Sequence, residues 1–398
     1  MGTPRSPIGQ RVRAARERQR RTQSAVAGLC GITVDYLSQI ERGLKVPSIE
    51  VLHALSRELG APVSQLLGDK EDTSPTELTI APAVAQALFG YGRPPAAEPV
   101  RPHVLRERVE DAWHIWQTAS DRFTKAAGIL PDLIRDVERA RTAYRSPGDA
   151  GAHTEVLRCA ADLYALLRSY CRRTGRTDLS LMVADRALRA AQEADDPVRI
   201  ATAHWNLGHI LLGDKQPEAA EQVARGGIEQ LAKAPPSREV LAMKGALELV
   251  AVVGLARRRR WWEARDRLNA AAPLADKVGE TNVGRTVFGP TNVQLHALSI
   301  EMEAGETVEA LRVADDVDTS ELPSMERQYT FALHVARCYD QRREDAAVLV
   351  HLIDLQHAAP EDLARTPEAV SMVRRLVERV RPTYRKQALA LATRMGIR

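Results

Sequence analysis

TQSAVAGLCGITVDYLSQIERGLKVP, residues 22–47, is the stretch on which the fold turns, because it reads as two short helices set at a sharp bend. Thr22 offers a hydroxyl to cap a helix over Gln23 to Leu29, and Ala25, Val26 and Leu29 give that helix one apolar face. Gly31 stops it. Thr33 then caps a second helix running to Glu41, with Leu37 and Ile40 inward and Val34, Asp35, Ser38 and Gln39 outward. Arg42 and Gly43 close the unit, the glycine supplying the left-handed backbone that a helix C-terminus commonly needs.

A helix, a tight glycine-containing turn and a second helix with small polar residues outward is the helix-turn-helix arrangement, whose second helix enters a DNA major groove. The competing reading is a helical hairpin buried in an all-α protein, with Asp35 and Gln39 merely solvated. The flanks favour the first. IGQRVRAARERQ before the bend, LSQIERG within it and VPSIEVLHALSRELGAPVSQLL after it resemble the lambda-repressor-like (XRE) DNA-binding domain across Ile8 to Leu67. That resemblance implies five helices, with Gln23 opening the second onto a phosphate and Val34, Asp35 and Gln39 facing bases. Thr33, Tyr36, Ser38, Arg42 and Lys45 are then backbone contacts, and Arg16 pairs with Glu41 inside the domain. Family members often carry Gln, Arg, Ser or Asn where Val34 and Asp35 stand. Here valine can pack on a thymine methyl and aspartate can accept from cytosine N4.

Charge follows the same division. Residues 1–68 hold ten Lys/Arg and five Asp/Glu, a net of +5, while the whole chain is +4, so the other 330 residues sum to −1. A basic excess confined to one small domain is what phosphate neutralisation requires. The rest of the composition, rich in Ala, Leu, Val and Arg and poor in aromatics, favours helix throughout, and 398 residues suffice for two or more domains. Cys30, Cys159, Cys171 and Cys338 are scattered, with no metal-site spacing, and suit small apolar positions in a reducing compartment. No apolar run reaches membrane-spanning length and no signal peptide opens the chain, so the expectation is a cytoplasmic, nucleoid-associated protein. No HExxH, GxSxG, phosphate loop or dinucleotide fingerprint occurs, so neither enzyme nor cofactor nor metal is expected.

The organisation expected is therefore a DNA-binding head over 1–68 behind a loose N-terminal arm, a linker over 69–103, and an all-α helical array over 104–398. Proline punctuates the linker, with one short helix expected over Ala83 to Phe89. Beyond Ala152 helices of similar length follow one another, and an alanine recurs in similar surroundings at Ala184, Ala220, Ala264, Ala310 and Ala346, spaced 36, 44, 46 and 36 residues. These spacings lie near the tetratricopeptide period. HWNLGHILLGDKQPEAAEQVARGGIEQLA, residues 204–232, fits best, since Leu207-Gly208, Leu211 and Ala220 fall where paired helices approach closely. With FGPTNV at 288–293 and the LALATRMGI ending, the array resembles the tetratricopeptide-like sensor region of actinobacterial XRE regulators.

Stacked helix pairs form a superhelix whose concave face suits a peptide or small ligand. Trp205, His209, Leu249, Asn292, Leu295, Ser299 and Phe331 are the candidate effector contacts, the alternative for each being plain inter-helix packing or, for Asn292, a helix cap. ARRRRWWEARDR, residues 256–267, reads as an intra-pair turn with solvated arginines rather than a nucleic-acid patch. The functional expectation is a homodimeric, sequence-specific transcriptional regulator whose array senses an effector. The alternative is a DNA-tethered scaffold recruiting a partner protein.

Overall fold

The computed structural model describes residues 7–19, 21–61, 63, 66, 80–90, 98–320 and 322–397. Ser64, Gln65 and Leu67 of the expected fifth head helix, residues 1–6 of the arm expected over 1–7 and most of the expected linker lie outside these, while Pro7 opens the first helix. Among the described residues there are twenty helices and no strand, and the chain divides into two compact units, Met1–Thr73 and Ser74–Arg398.

The first unit carries α1 (Pro7–Arg18), α2 (Gln23–Leu29), α3 (Val34–Glu41) and α4 (Ile49–Leu59). Its caps are those expected: the Thr22, Thr33 and Ser48 hydroxyls accept from the amides of Ala25, Tyr36 and Val51, and Gly31, Gly43 and Gly60 are left-handed. Val12, Val26, Leu37, Leu55 and Leu66 are fully buried at the centre of its core. The inward face of α2 differs from expectation. Val26 and Ala27 are buried while Ala25 is exposed and Leu29 is 55% exposed, because a seven-residue helix has room to bury only one strip and the loop residues Cys30 and Ile32 complete it. Gly9 permits α1 to meet the end of α3: a Cβ there would stand 2.0 Å from the Ile40 carbonyl oxygen.

The second unit begins within the stretch read as linker. Helix α5 (Pro82–Phe89) buries Val84, Ala87 and Leu88 in the core that it shares with α6 (Pro102–Thr118), α7 (Arg122–Ala143), α8 (Ala150–Arg173) and α9 (Thr177–Glu193). Helices α10 (Pro197–Gly213) and α11 (Pro217–Leu231), α12 (Arg238–Arg257) and α13 (Trp261–Val278), α14 (Pro290–Ala304) and α15 (Thr307–Asp315), and α16 (Met325–Gln341) and α17 (Asp345–Ala358) follow as pairs. Three more, α18 (Pro360–Arg365), α19 (Pro367–Arg379) and α20 (Pro382–Arg394), finish the unit.

One turn joins the helices of every pair from α8/α9 onward. Gly175, Lys215, Arg259, Gly305 and Arg343 are all left-handed, and the amide of the next residue donates to the carbonyl five positions back, as in Arg176 to Cys171 (2.9 Å) and Gln216 to Leu211 (2.8 Å). This is the Schellman arrangement, which satisfies the carbonyls left orphaned at a helix end. The fourth residue after the turn points into the pair: Ser180, Ala220, Ala264, Ala310 and Val348 are fully buried. The sequence repeat was therefore in register at its three middle members, whereas Ala346 is exposed and Ala184 sits one turn further along its helix. Phe288 and Gly289 precede α14, and the Phe288 ring fills the space over Gly245 of α12, where a Cβ would fall 2.0 Å from the ring.

Candidate functional site

Helix α3 presents the first site. Leu37 and Ile40 anchor it, leaving Thr33, Val34 (45%), Asp35, Arg42 and Lys45 exposed and Tyr36, Ser38 and Gln39 half-buried. The Gln39 amide donates to Asp35 Oδ2 at 2.7 Å, so two of the three expected base readers form one unit that keeps a further donor and acceptors unused. Arg42 folds back to the Ser38 carbonyl (3.3 Å), and Lys45 lies over the Tyr36 ring at 5.5 Å.

The expected internal pair is present. Glu41, 6% exposed, accepts from Arg16 Nε (2.7 Å) and Nη2 (2.8 Å), and this charge-assisted bond holds the Arg16 guanidinium protonated more firmly than usual. The amide of Gln23, expected on a phosphate, donates to Glu41 Oε2 at 2.8 Å. A buried carboxylate has more acceptor capacity than one guanidinium fills, and Gln23 at the start of α2 supplies the third donor.

The second site lies in the helical array. A cavity of about 580 Å³ is walled by α6, α8, α10 and α12 and by the loop over 279–289. Its charges are mostly paired: Arg199 donates to Asp162 (2.8 and 3.0 Å), and Arg285 meets Glu110. Gly284 lets the loop close down, since a Cβ there would sit 2.5 Å from Thr202 Oγ1. Arg285 (φ 60°) and Val287 (φ 53°) are left-handed in the same loop, a strained conformation for a β-branched residue that the surrounding packing must hold. Trp113 and Arg285 also border a smaller recess of about 60 Å³, with Arg122, Arg168, Arg172, Trp205, His209 and Arg327 around it.

Of the expected effector contacts, Trp205 and His209 border this recess, their rings edge-on at 4.3 Å. His209 is held neutral, well below the ordinary histidine range, first by burial and then by Arg327, Arg168 and Arg172. The others do not join them. Leu249 is packed in the core around α12 and α13, and Leu295 packs with Val287 and Leu322, with Phe331 against them. Asn292 is 1% exposed, its carbonyl oxygen meets the His296 ring at 2.8 Å, and its side-chain oxygen has no partner. It is not the cap either, because Glu280 accepts from the Thr291 amide at the start of α14. Ser299 is half-buried and borders neither cavity. The arginines of the recess were missed because nothing local marks them.

The 256–267 patch is the turn expected. Arg257, Arg258 and Arg260 pair with Glu303, Glu218 and Glu263, Trp261 packs on the core, and Trp262 is 77% exposed beneath Arg265. Among the described residues no group of acids, histidines and cysteines is placed to hold a metal, and no helix is long and apolar enough to cross a membrane.

Comparison with known proteins bears on the head. Residues 7–67 match the model of a helix-turn-helix domain. The transcriptional regulator ClgR of Mycobacterium tuberculosis is 42% identical over 65 residues, which are 16% of this chain and 58% of that protein. The HTH-type transcriptional regulator SinR of Bacillus licheniformis is 39% identical over 67 residues, 17% of this chain and 60% of that one. The chain thus spans a little over half the length of these curated relatives. Among solved structures, Bacillus thuringiensis PlcR in complex with the peptide PapR7 and DNA aligns over 86% of this chain and 99% of its own, at 10% identity and a TM-score of 0.32. The apo competence regulator ComR of Streptococcus vestibularis aligns over 99% of both chains at 12% identity and a TM-score of 0.27.

Proposed function

We propose that this chain is a sequence-specific transcriptional regulator that inserts α3 of its helix-turn-helix head into the major groove of duplex DNA. The supporting observation is the face of α3 itself: Leu37 and Ile40 pin the helix, while Val34 and Asp35 stand exposed beside Gln39 with no packing role. Val34 meets a thymine methyl, and the Asp35–Gln39 unit reads base edges. Gln23, Thr33, Tyr36, Ser38, Arg42 and Lys45 take the phosphates, Gln23 through the amide hydrogen that Glu41 leaves free. One such module gains little affinity alone, so two heads of a homodimer bind half-sites about 34 Å apart.

The array is the sensor in this reading. Its cavity, at about 580 Å³, has the size and the convergent polar groups of a small-ligand site. An effector that binds one array conformation more tightly changes operator affinity by that difference.

Selection of bound sequences from random duplex DNA tests the reading. The selected site is expected to weaken about 5- to 150-fold for Gln39→Ala, equivalent to about 1–3 kcal/mol for a lost base contact, and Arg42→Ala is expected to flatten the salt dependence. Unchanged affinity in both variants, with folding intact, would refute it.

A further inference from the structure

We propose that the small recess beside the array cavity binds the phosphoryl group of a phosphorylated small molecule, whose body occupies the larger cavity. The proposal deepens the sensor reading above by naming the ligand chemistry, and it rests on that reading for its consequence at DNA.

Five guanidiniums gather at it from three helices: Arg122 at the start of α7, Arg168 and Arg172 on α8 and Arg327 on α16 line it, and Arg173 on α8 shares their carboxylates. Two carboxylates answer them. Asp362, fully buried, takes Arg122 through both oxygens (3.0 and 2.5 Å) and Arg173 at 3.4 Å. Glu326 takes Arg173 at 2.8 Å and Arg172 at 3.4 Å. Three positive charges are left over.

Arg168 is the telling member. It is 4% exposed, its Nε has no partner, and the one contact of its fork is the neutral side-chain oxygen of Asn206. Its guanidinium lies 5.5 Å from the Trp205 ring centroid, so it rests on an aromatic face, and among the described residues it makes no ion pair, Glu326 acting on it only from a distance. The Nε atoms of Arg172 and Arg173 are likewise buried and unpartnered, and the one bond of the Arg327 fork is a 3.4 Å contact to the Thr286 carbonyl. Burial, and then repulsion from Arg172, drags the Arg168 guanidinium down to about 9, and burial lowers Arg172 and Arg327 as well. Isolated buried charge is among the costliest features a fold can hold, and unpaired buried N–H donors add to it. A chain that buries one such group, with Arg172 and Arg327 half-buried beside it at the same opening, is organised for a polyanion.

Charge and size select the anion. A phosphomonoester carries about −1.5 to −2 at neutral pH with three acceptor oxygens, against −1 and two for a carboxylate, and arginine forks match it in pairs. The recess, at about 60 Å³, has room for a phosphoryl group. Arg285 and Trp113 are common to the recess and the larger cavity, so one ligand can occupy both.

The test is a thermal melt of the full chain in matched ionic strength with sodium chloride, inorganic phosphate, pyrophosphate or succinate. Phosphate and pyrophosphate are expected to raise the array transition by roughly 3–6 °C at a hundredfold excess over Kd. Arg168→Met is expected to raise the melting point in chloride, because it removes an unpaired buried charge, and to abolish the phosphate shift. A merely structural arginine would lower it. Equal phosphate shifts in the wild type and the variant would mark a bulk salt effect and overturn the site, as would no shift at all. A succinate shift matching that of pyrophosphate would overturn the phosphoryl assignment. Phosphate binding that leaves duplex affinity unchanged would keep the site and remove the sensing step, so the two readings fail separately.

Discussion

Replacing Glu41 with alanine should unfold the head and leave the array standing. Glu41 has a side chain 2% exposed and accepts three hydrogen bonds, two from Arg16 and one from Gln23. Arg16 is itself only 12% exposed at its side chain, so truncating the carboxylate leaves a mostly buried guanidinium with the Arg21 carbonyl at 2.9 Å and the half-exposed Glu17 carboxylate at 3.8 Å as its remaining partners. Breaking such a pair from one side costs about 3–5 kcal/mol. A domain of this size has about 3–5 kcal/mol in total, so the loss is comparable with the whole. Hydrogen exchange on the full chain is the assay: amides of residues 23–59 should lose protection while those of 150–300 keep theirs, and duplex binding should vanish. Removing both charges as Arg16→Leu with Glu41→Leu should restore most of the protection, because no charge is then stranded. If Glu41→Ala melts within about 1 kcal/mol of the wild type, or the double variant is no better than the single one, the pair is not what holds α1, α2 and α3 together.

Two further outcomes follow from the structure. Gly9→Ala puts a methyl 2.0 Å from a backbone carbonyl that cannot turn aside, so α1 must shift off α3; a loss of about 1–3 kcal/mol is expected in denaturant melts of the head, with the array transition unmoved. The array should lose stability as pH falls from about 6.5 towards 4: burial, with a lesser push from Arg327, takes His296 down to about 4, so the unfolded chain binds that proton first. The contribution is full above the unfolded value and amounts to about 3 kcal/mol. His296→Asn should make that limb of a melting-temperature profile against pH shallower, His209 and His334, also held low by burial, carrying the remainder, and an unchanged slope would place the acid sensitivity elsewhere.

What the sequence determined by itself is the head and the helical character of the rest. The Thr22, Thr33 and Ser48 caps, the left-handed glycines and the buried strip of α3 are settled within a few residues of one another, and local interactions of that range can be read along the chain. The repeat was legible in part for the same reason: Ala220, Ala264 and Ala310 sit four residues after a turn whose geometry is local, and the reading slipped where Ser180 and Val348 replace alanine. Only the tertiary structure decided the rest. It placed Gln23 on Glu41, it took Leu249, Leu295 and Asn292 into packing, and it gathered the recess, where Arg122 and Asp362 meet across 240 residues of chain. An arginine on a helix reads as a solvated surface residue in any local window. Whether it is buried, and whether a carboxylate meets it there, depends on how successive pairs stack, and that is fixed by contacts between residues far apart in sequence.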